Sequence, residues 1–341
     1  MTHARIGKKI PPGFSLDIDL AIPAGVTALY GPPGAGKTLT LEMIAGFVTP
    51  DSGRILLEDA ILFDAESRVN IPPRRRRCGF LCQRDALCPH MTVRQNLVFA
   101  ARRLPRLERH RKVAEMVERF GLSEAAAGRP RDASRALKLR ASVARALIAE
   151  PKLLLVDDCG VDEPLLRQIR EACPAPIVLV APSLDLCCAA GELVILDAGR
   201  VVERGSPREV LDRPDSVQAA RLLGIPNILE CTIAALDPGR NTSRLEFERF
   251  ALAAPYLPGH LRGDRVWVAI RAEDLRVRAA GGEPPVNVVP ASLVRATPRE
   301  RSVRLEFAGP IFVDLSQAEY ARQKDNKEWL VEFPPEALTV L

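Results

Sequence analysis

The stretch that decides the fold is VTALYGPPGAGKTLTLEMIAGF, Val26 to Phe47. It opens with five apolar-leaning residues, Val26–Tyr30, which the pattern predicts to be a short buried strand. Gly31–Thr38, GPPGAGKT, follows at once and fits G-x-x-x-x-G-K-[ST]. An apolar-faced helix is predicted over Thr38–Phe47. A strand, a glycine-rich turn and a helix in that order form a phosphate cradle: the loop turns several backbone N–H groups toward one point, and the helix N-terminus adds partial positive charge there. Gly31, Pro32, Pro33, Gly34, Ala35, Gly36, Lys37 and Thr38 are therefore the expected nucleotide contacts, with Lys37 reaching the β/γ-phosphates and the Thr38 hydroxyl available to Mg²⁺. Average residue frequencies produce the bare motif by chance in about 1% of chains of this length, before the flanking strand and helix are required.

Strands and helices alternate outward from this loop. Phe14–Ile22 (FSLDIDLAI) alternates apolar and acidic residues as a half-buried strand does, and Arg54–Phe63 is expected to be a hairpin. Val93–Arg103, Glu108–Phe120 and Leu137–Glu150 are predicted helices. Leu153–Val156 and Ile177–Val180 are predicted strands flanking a helix over Pro164–Ala172, and Leu193–Leu196 with Arg200–Glu203 is expected to close as a hairpin. This is an α/β sheet with a helical insertion. From about Pro226 strand-like runs separated by turn residues dominate, among them LECTIAAL, DRVWVAIR, SVRLEF and EWLVEF, and they predict a small all-β domain, sandwich or barrel.

Composition narrows the function classes. The chain has 341 residues, 47% hydrophobic and 27% charged, with a formal net charge of +5, an ordinary globular profile with room for two cores. Arginine supplies most of the positive charge but is scattered, which does not make a nucleic-acid-binding arm. No run approaches the roughly 18 apolar residues of a membrane span, and MTHARIGKKIPPG lacks the apolar core of a signal peptide. The eight cysteines form no CxxC pair, and the pattern favours small buried hydrophobes in a reducing compartment over a metal site at Cys82, Cys88 and His90.

Gly79–Val93, GFLCQRDALCPHMTV, resembles the Q-loop of ABC transporter ATPases. LLLVDD at Leu153–Asp158 resembles their Walker B strand. Leu193–Val210 is similar to the closing hairpin and helix, and the β tail, with IRAEDLRV at Ile270–Val277, is similar to the TOBE domain of importer subunits. The resemblance implies an ATP-binding cassette, with a RecA-like core and a helical subdomain at about 90–150, over residues 1–225, and an OB-like TOBE domain over 226–341. It also implies that Gln83 touches Mg²⁺ and the attacking water, that Asp157 holds Mg²⁺, and that the residue after it, Asp158, takes the general-base position. Thr38, Gln83 and Asp157 are thus the expected metal set, and Gln83 and Asp158 the catalytic one. ILFDAESRVNIPPRRRR and VNVVPASLV (Val286–Val294) lean toward the molybdate importers, the latter resembling the start of their oxyanion-associated β unit. Sulfate, polyamine, iron and sugar importers share the architecture. The run Arg74–Arg77 matches a basic stretch common in the family and receives no separate role.

Four elements depart from the family pattern. The signature, usually Leu-Ser-Gly-Gly-Gln, is here Ala133-Ser134-Arg135-Ala136-Leu137. Only Ser134 remains as a nucleotide contact across a head-to-tail dimer, and Cβ atoms stand where glycines allow close approach. Asp158 replaces a glutamate, which retracts the carboxylate by about 1.5 Å. CGVDEP (Cys159–Pro164) does not match the usual D-loop. The switch histidine position is Pro182, within Ala181-Pro182-Ser183, and proline offers neither imidazole nor N–H. Two readings follow. One is the energy-coupling ATPase of an importer, slow in turnover; the other is a nucleotide-binding regulatory or structural subunit. Both imply a peripheral protein on the cytoplasmic face of the cell membrane. Its partners would be a permease, a second ATP-binding subunit and, indirectly, a periplasmic or extracellular substrate-binding protein. Neither reading involves nucleic acid.

Overall fold

The computed structural model describes residues 2–82, 87–248, 250–278, 287–309, 311–324, 326 and 328–341. The chain divides into two compact units, Met1–Val210 and Leu211–Leu341.

The first unit begins with β1 (Thr2–Ile10) and β2 (Phe14–Ile22), then β3 (Val26–Tyr30), α1 (Lys37–Ala45), β4 (Ser52–Leu57), β5 (Ala60–Asp64), β6 (Val69–Asn70) and β7 (Cys78–Leu81). Three helices follow: α2 (Val93–Ala100), α3 (Arg106–Arg119) and α4 (Arg135–Leu147). The unit continues through β8 (Leu153–Val156), α5 (Glu163–Ala172), β9 (Ile177–Val180), α6 (Leu184–Cys188), β10 (Glu192–Asp197) and β11 (Arg200–Gly205), and α7 (Pro207–Asp212) crosses its end. Two sheets result. One runs β2-β1-β4-β5-β6, antiparallel throughout. The other runs β11-β10-β3-β9-β8-β7, parallel from β10 to β7 with an antiparallel edge at β11. The parallel strands β8 and β9 are buried at every position, which is why they read as unbroken apolar runs. β2 buries alternate residues and faces the core on one side.

β1 was not expected from the sequence. It pairs with β2 over its whole length and with β4, burying only Thr2, Ala4 and Ile6. Three small or medium side chains between charged ones make too weak an alternation to be read as a strand. Most other elements fall within a few residues of the expected ranges. α4 starts earlier than expected, at Arg135, because Ser134 caps it, its Oγ accepting from the Leu137 N–H at 3.3 Å.

The second unit holds α8 (Val217–Leu222), β12 (Asn227–Asp237), β13 (Thr242–Phe247), β14 (Phe250–Pro255), β15 (Arg265–Ile270), β16 (Arg276–Arg278), β17 (Val288–Ala291), β18 (Leu293–Pro298), β19 (Ser302–Phe307), β20 (Ile311–Ser316), α9 (Gln317–Gln323), β21 (Trp329–Glu332) and β22 (Thr339–Val340). Among the described residues its strands form three antiparallel sheets, β14-β13-β12-β15-β22, β16-β21-β17 and β18-β19-β20. Leu245, Val268, Leu305, Phe307, Val331 and Phe333 are among its core, with Phe307 meeting Trp329 edge to face at 5.9 Å. The unit starts at Leu211 rather than at 226 because α8 packs on β15 and the Leu211 carbonyl accepts from Arg271 Nη2 at 2.6 Å. One helix, α9, interrupts the expected all-β run, and a capping box between Ser316 and Glu319 fixes its start. Asn287, within VNVVPASLV, spends its amide on the backbone of Ala253 and Phe333. Among the described residues no helix is long and apolar enough to cross a membrane.

Candidate functional site

The site lies where β3 and β8 end, at the carboxyl edge of the parallel sheet, the usual ligand position in such sheets. Gly31 leaves β3 with its Cα against the chain end of β10. A Cβ there would sit 2.0 Å from the Leu196 carbonyl oxygen, so only glycine lets the loop pass. Gly36 is the N-cap of α1 and supplies no side-chain cap. The first N–H groups of the helix are therefore left without the capping side chain that most helices carry, the arrangement a phosphate would complete.

Lys37 folds back over the loop. Its Nζ donates to the carbonyls of Gly31 at 2.6 Å and Pro32 at 2.9 Å. Burial pushes its pKa down, while the nearby carboxylates of Asp158 and Asp157 pull it up. Thr38 Oγ1 donates to Asp157 Oδ1 at 2.9 Å, joining two residues 119 positions apart. Asp157 is 6% exposed. Burial raises its pKa, the Thr38 hydrogen bond lowers it, and Asp158 raises it further. Asp158 is half-buried beside it. Thus Lys37, Thr38, Asp157 and Asp158 are brought into one electrostatic cluster, and it can hold a polyanion together with a cation.

The other expected contacts lie elsewhere. Ser134 is exposed at the start of α4, together with Arg135 and Ala136, and its hydroxyl caps the helix. Pro182 is exposed just beyond β9. Gln83 lies outside the described residues. The Cys78 and Cys159 thiols are pushed up by burial to about 12 and about 11, so both stay protonated at neutral pH.

A second concave feature was not foreseen. A groove of about 370 Å³ runs between β7 and the helices α2 and α4, floored by Phe80, Ala101 and Ala146 and edged by Arg74, Arg77, Arg102, Arg103 and Arg145. None of the described residues that line it is acidic. Phe99, 41% exposed, stands at its side with the Arg102 guanidinium 4.6 Å from the ring centroid. Arg145 Nη1 is buried yet has no hydrogen-bond partner among the described residues. The sequence offered only scattered arginines here; the helices gather them.

Residues 16–160 match the family model described as ABC transporter. The chain is 32% identical to a molybdenum import ATP-binding protein, ModC, of Paramagnetospirillum magneticum, over 84% of this chain and 82% of that protein. It is 34% identical to a molybdate/tungstate import ATP-binding protein, WtpC, of Pyrococcus horikoshii, over 74% of this chain and 72% of that one. In structure it is similar to cbiO1 of Clostridium perfringens, part of an ABC transporter complex, with a TM-score of 0.54 at 24% identity over 65% of this chain and 94% of that one. It is similar also to a dimeric ATP-binding cassette bound to ADP and Pi, with a TM-score of 0.52 at 19% identity over 61% and 98%. These last two show the fold.

The raised pKa of Asp157 has a consequence for stability. A carboxyl whose folded pKa lies above its unfolded value favours the fold when protonated, and that contribution is lost as pH rises through the folded value. At neutral pH the ionised Asp157 is therefore a net cost in the nucleotide-free protein. Asp157→Asn, whose amide oxygen still accepts from Thr38, is expected to raise the nucleotide-free melting temperature at pH 7 by on the order of 2 °C and to remove the Mg²⁺-dependent part of ATP binding. A lower melting temperature in this variant would contradict the assignment.

Proposed function

The chain belongs to the ATP-binding subunits of ABC transporters, and from that premise we propose that it couples ATP binding and slow hydrolysis to import of molybdate or a related oxyanion through a partner permease. The Thr38–Asp157 pair beneath an uncapped helix N-terminus carries the ATP reading. The oxyanion reading is supported by the molybdenum and molybdate/tungstate import relatives, the first of which aligns with 84% of this chain.

ATP phosphates would lie against the N–H groups of residues 31–38, and Lys37 would exchange its two carbonyl partners for phosphate oxygens. A divalent cation suits the donor set: the Thr38 hydroxyl and the buried Asp157 carboxylate are hard oxygens held together. Gln83 would complete that set. When bound, the ion would neutralise charge on the phosphates. Asp158 would orient the attacking water from its shortened side chain. Ser134 and Arg135, exposed at the head of α4, would face the nucleotide of a second ATP-binding subunit. With Pro182 in place of a donor, the γ-phosphate loses one transition-state contact, a loss that typically costs roughly 10²–10³-fold in rate; a misplaced water costs on the order of 10²-fold. The losses need not multiply.

The arginine-edged groove is the docking site for a permease segment with an apolar face and at least one carboxylate. Charge complementarity argues for that occupant: among the described residues five arginines and no acid line the groove, and Arg145 Nη1 lacks a hydrogen-bond partner. Docking there would hold the chain at the cytoplasmic face of the membrane and lead, through the permease, to an extracytoplasmic substrate-binding protein. The β unit, residues 211–341 with the family's TOBE character, would stabilise or regulate the assembly.

Two experiments test this reading. Asp158→Glu combined with Pro182→His is expected to raise ATP turnover of the permease-bound protein by at least about tenfold, since each restores an element worth more than that. No gain would mean the motor is limited elsewhere. Arg145→Glu is expected to cut the membrane-bound fraction, with permease co-expressed, by at least about tenfold through like-charge repulsion, while ATP affinity stays unchanged. Undiminished membrane binding would remove the docking assignment.

A further inference from the structure

Of the four consecutive arginines Arg74–Arg77, three are exposed and one is not. Arg76 is 1% exposed. Its Nη1 donates to the carbonyls of Met43 at 2.8 Å and Ile44 at 2.9 Å, its Nε to the Ile71 carbonyl at 2.7 Å, and its Nη2 to Asn70 Oδ1 at 2.9 Å. Among the described residues no carboxylate forms an ion pair with it. A buried guanidinium without a counter-charge is expensive unless its donors are satisfied and a field favours it. Both conditions hold. Met43 and Ile44 belong to the last turn of α1, where the carbonyls and the helix dipole are negative.

The helix is built around this contact. It stops at Gly46, whose φ is 86°. A Cβ at that position would lie 2.5 Å from Arg76 Nε and 2.6 Å from Cζ. The residue that ends the phosphate helix is thus also the one that leaves room for the guanidinium.

A closed circuit of bonds follows. At the front of α1, Thr38 is bonded to Asp157 at the end of β8. The Asp157 N–H donates to the Leu81 carbonyl at 2.8 Å, at the end of β7. At the start of β7, Arg76 is bonded to the rear of α1. The front and rear of one helix are therefore tied to the two ends of one strand segment. Of these ties the guanidinium contact alone is buried, multiply bonded and remote from the ligand.

We propose that Arg76 is a positioning residue: by bolting the rear of α1 to the segment entering β7, it keeps the Thr38 hydroxyl and the Asp157 carboxylate within reach of a single divalent cation bound with ATP. The proposal rests on the reading that ATP and a cation occupy this site. Its consequence is specific to the cation. Phosphate binding by loop N–H groups needs only the front of the helix, whereas cation binding needs the front of α1 and the end of β8 in register. Altering the support of metal-holding groups typically costs 10–100-fold in metal affinity.

The test is the ratio of ATP affinities measured on the full chain with Mg²⁺ and with EDTA. Arg76→Gln is expected to lower that ratio by about tenfold or more while the affinity in EDTA stays within about threefold of the parent. Arg76→Lys, which keeps the charge but not the fork, is expected to recover part of the ratio. Of the Arg76 bonds Asn70→Ala removes only the one from Nη2; it also removes the exposed Asn70 Nδ2–Thr49 Oγ1 bond at 3.3 Å. It provides the same measurement in a milder background should Arg76→Gln fail to fold, and is expected to lower the ratio by a smaller amount. A ratio equal to the parent's in a folded variant, or both affinities falling in parallel, overturns the proposal. Absence of ATP binding in the parent protein overturns the underlying reading together with it; a parent that binds ATP with a ratio insensitive to these changes overturns the Arg76 assignment alone.

Discussion

The hydrogen bond from Thr38 to Asp157 is the contact on which the candidate site depends. It can form only if the helix after β3 and the end of β8 reach the same point, and that requires the parallel register of β3, β9, β8 and β7. It places a carboxylate in a nearly closed site, which raises its pKa, next to a lysine whose pKa burial lowers. Both groups are disfavoured as charges by burial and favoured by each other. An anion and a cation arriving together relieve both, and ATP with a divalent cation is such a pair.

Two of the four departures from the family pattern lie away from this contact, and two, Asp158 and Cys159–Pro164, follow Asp157 directly. Arg135 and Ala136 are at the exposed head of α4, and Pro182 stands beyond β9. They leave the cradle untouched and alter the groups that would act on the far side of the γ-phosphate. Asp158 is the intermediate case, inside the cluster but one methylene short of the family's glutamate. On the proposed reading binding and turnover are separable in this chain: groups beneath the nucleotide would bind it, while groups above it would accelerate its cleavage. Apart from Asp158, the changes would fall in the second set.

The phosphate loop and the strand ending in Asp157 were legible in the sequence because each is a local pattern. A glycine-rich turn between strand and helix has few alternatives, and LLLV reads as a strand buried on both faces. β1 was not legible, since its burial comes from pairing with β2 and β4 rather than from its own composition. Nor could the sequence say which of four identical arginines is buried; Arg76 is selected by the position of the α1 carbonyls, a tertiary fact. The groove arginines come from Arg74 to Arg145 and converge only when α2 and α4 pack beside β7. The start of α9 was encoded in the Ser316–Glu319 pair, a capping signal hidden by the surrounding strands.

The central claim is that nucleotide binding is intact while cleavage is weakened. Its most direct test is a single-turnover experiment with labelled ATP and Mg²⁺ on the unmodified protein bound to its permease, following bound nucleotide and released phosphate in the same sample. The account predicts rapid, saturable binding followed by phosphate release slower by at least about a hundredfold than in a cassette with glutamate and histidine at the corresponding positions. Phosphate release at the rate of such an intact cassette, or failure to bind ATP, would contradict it.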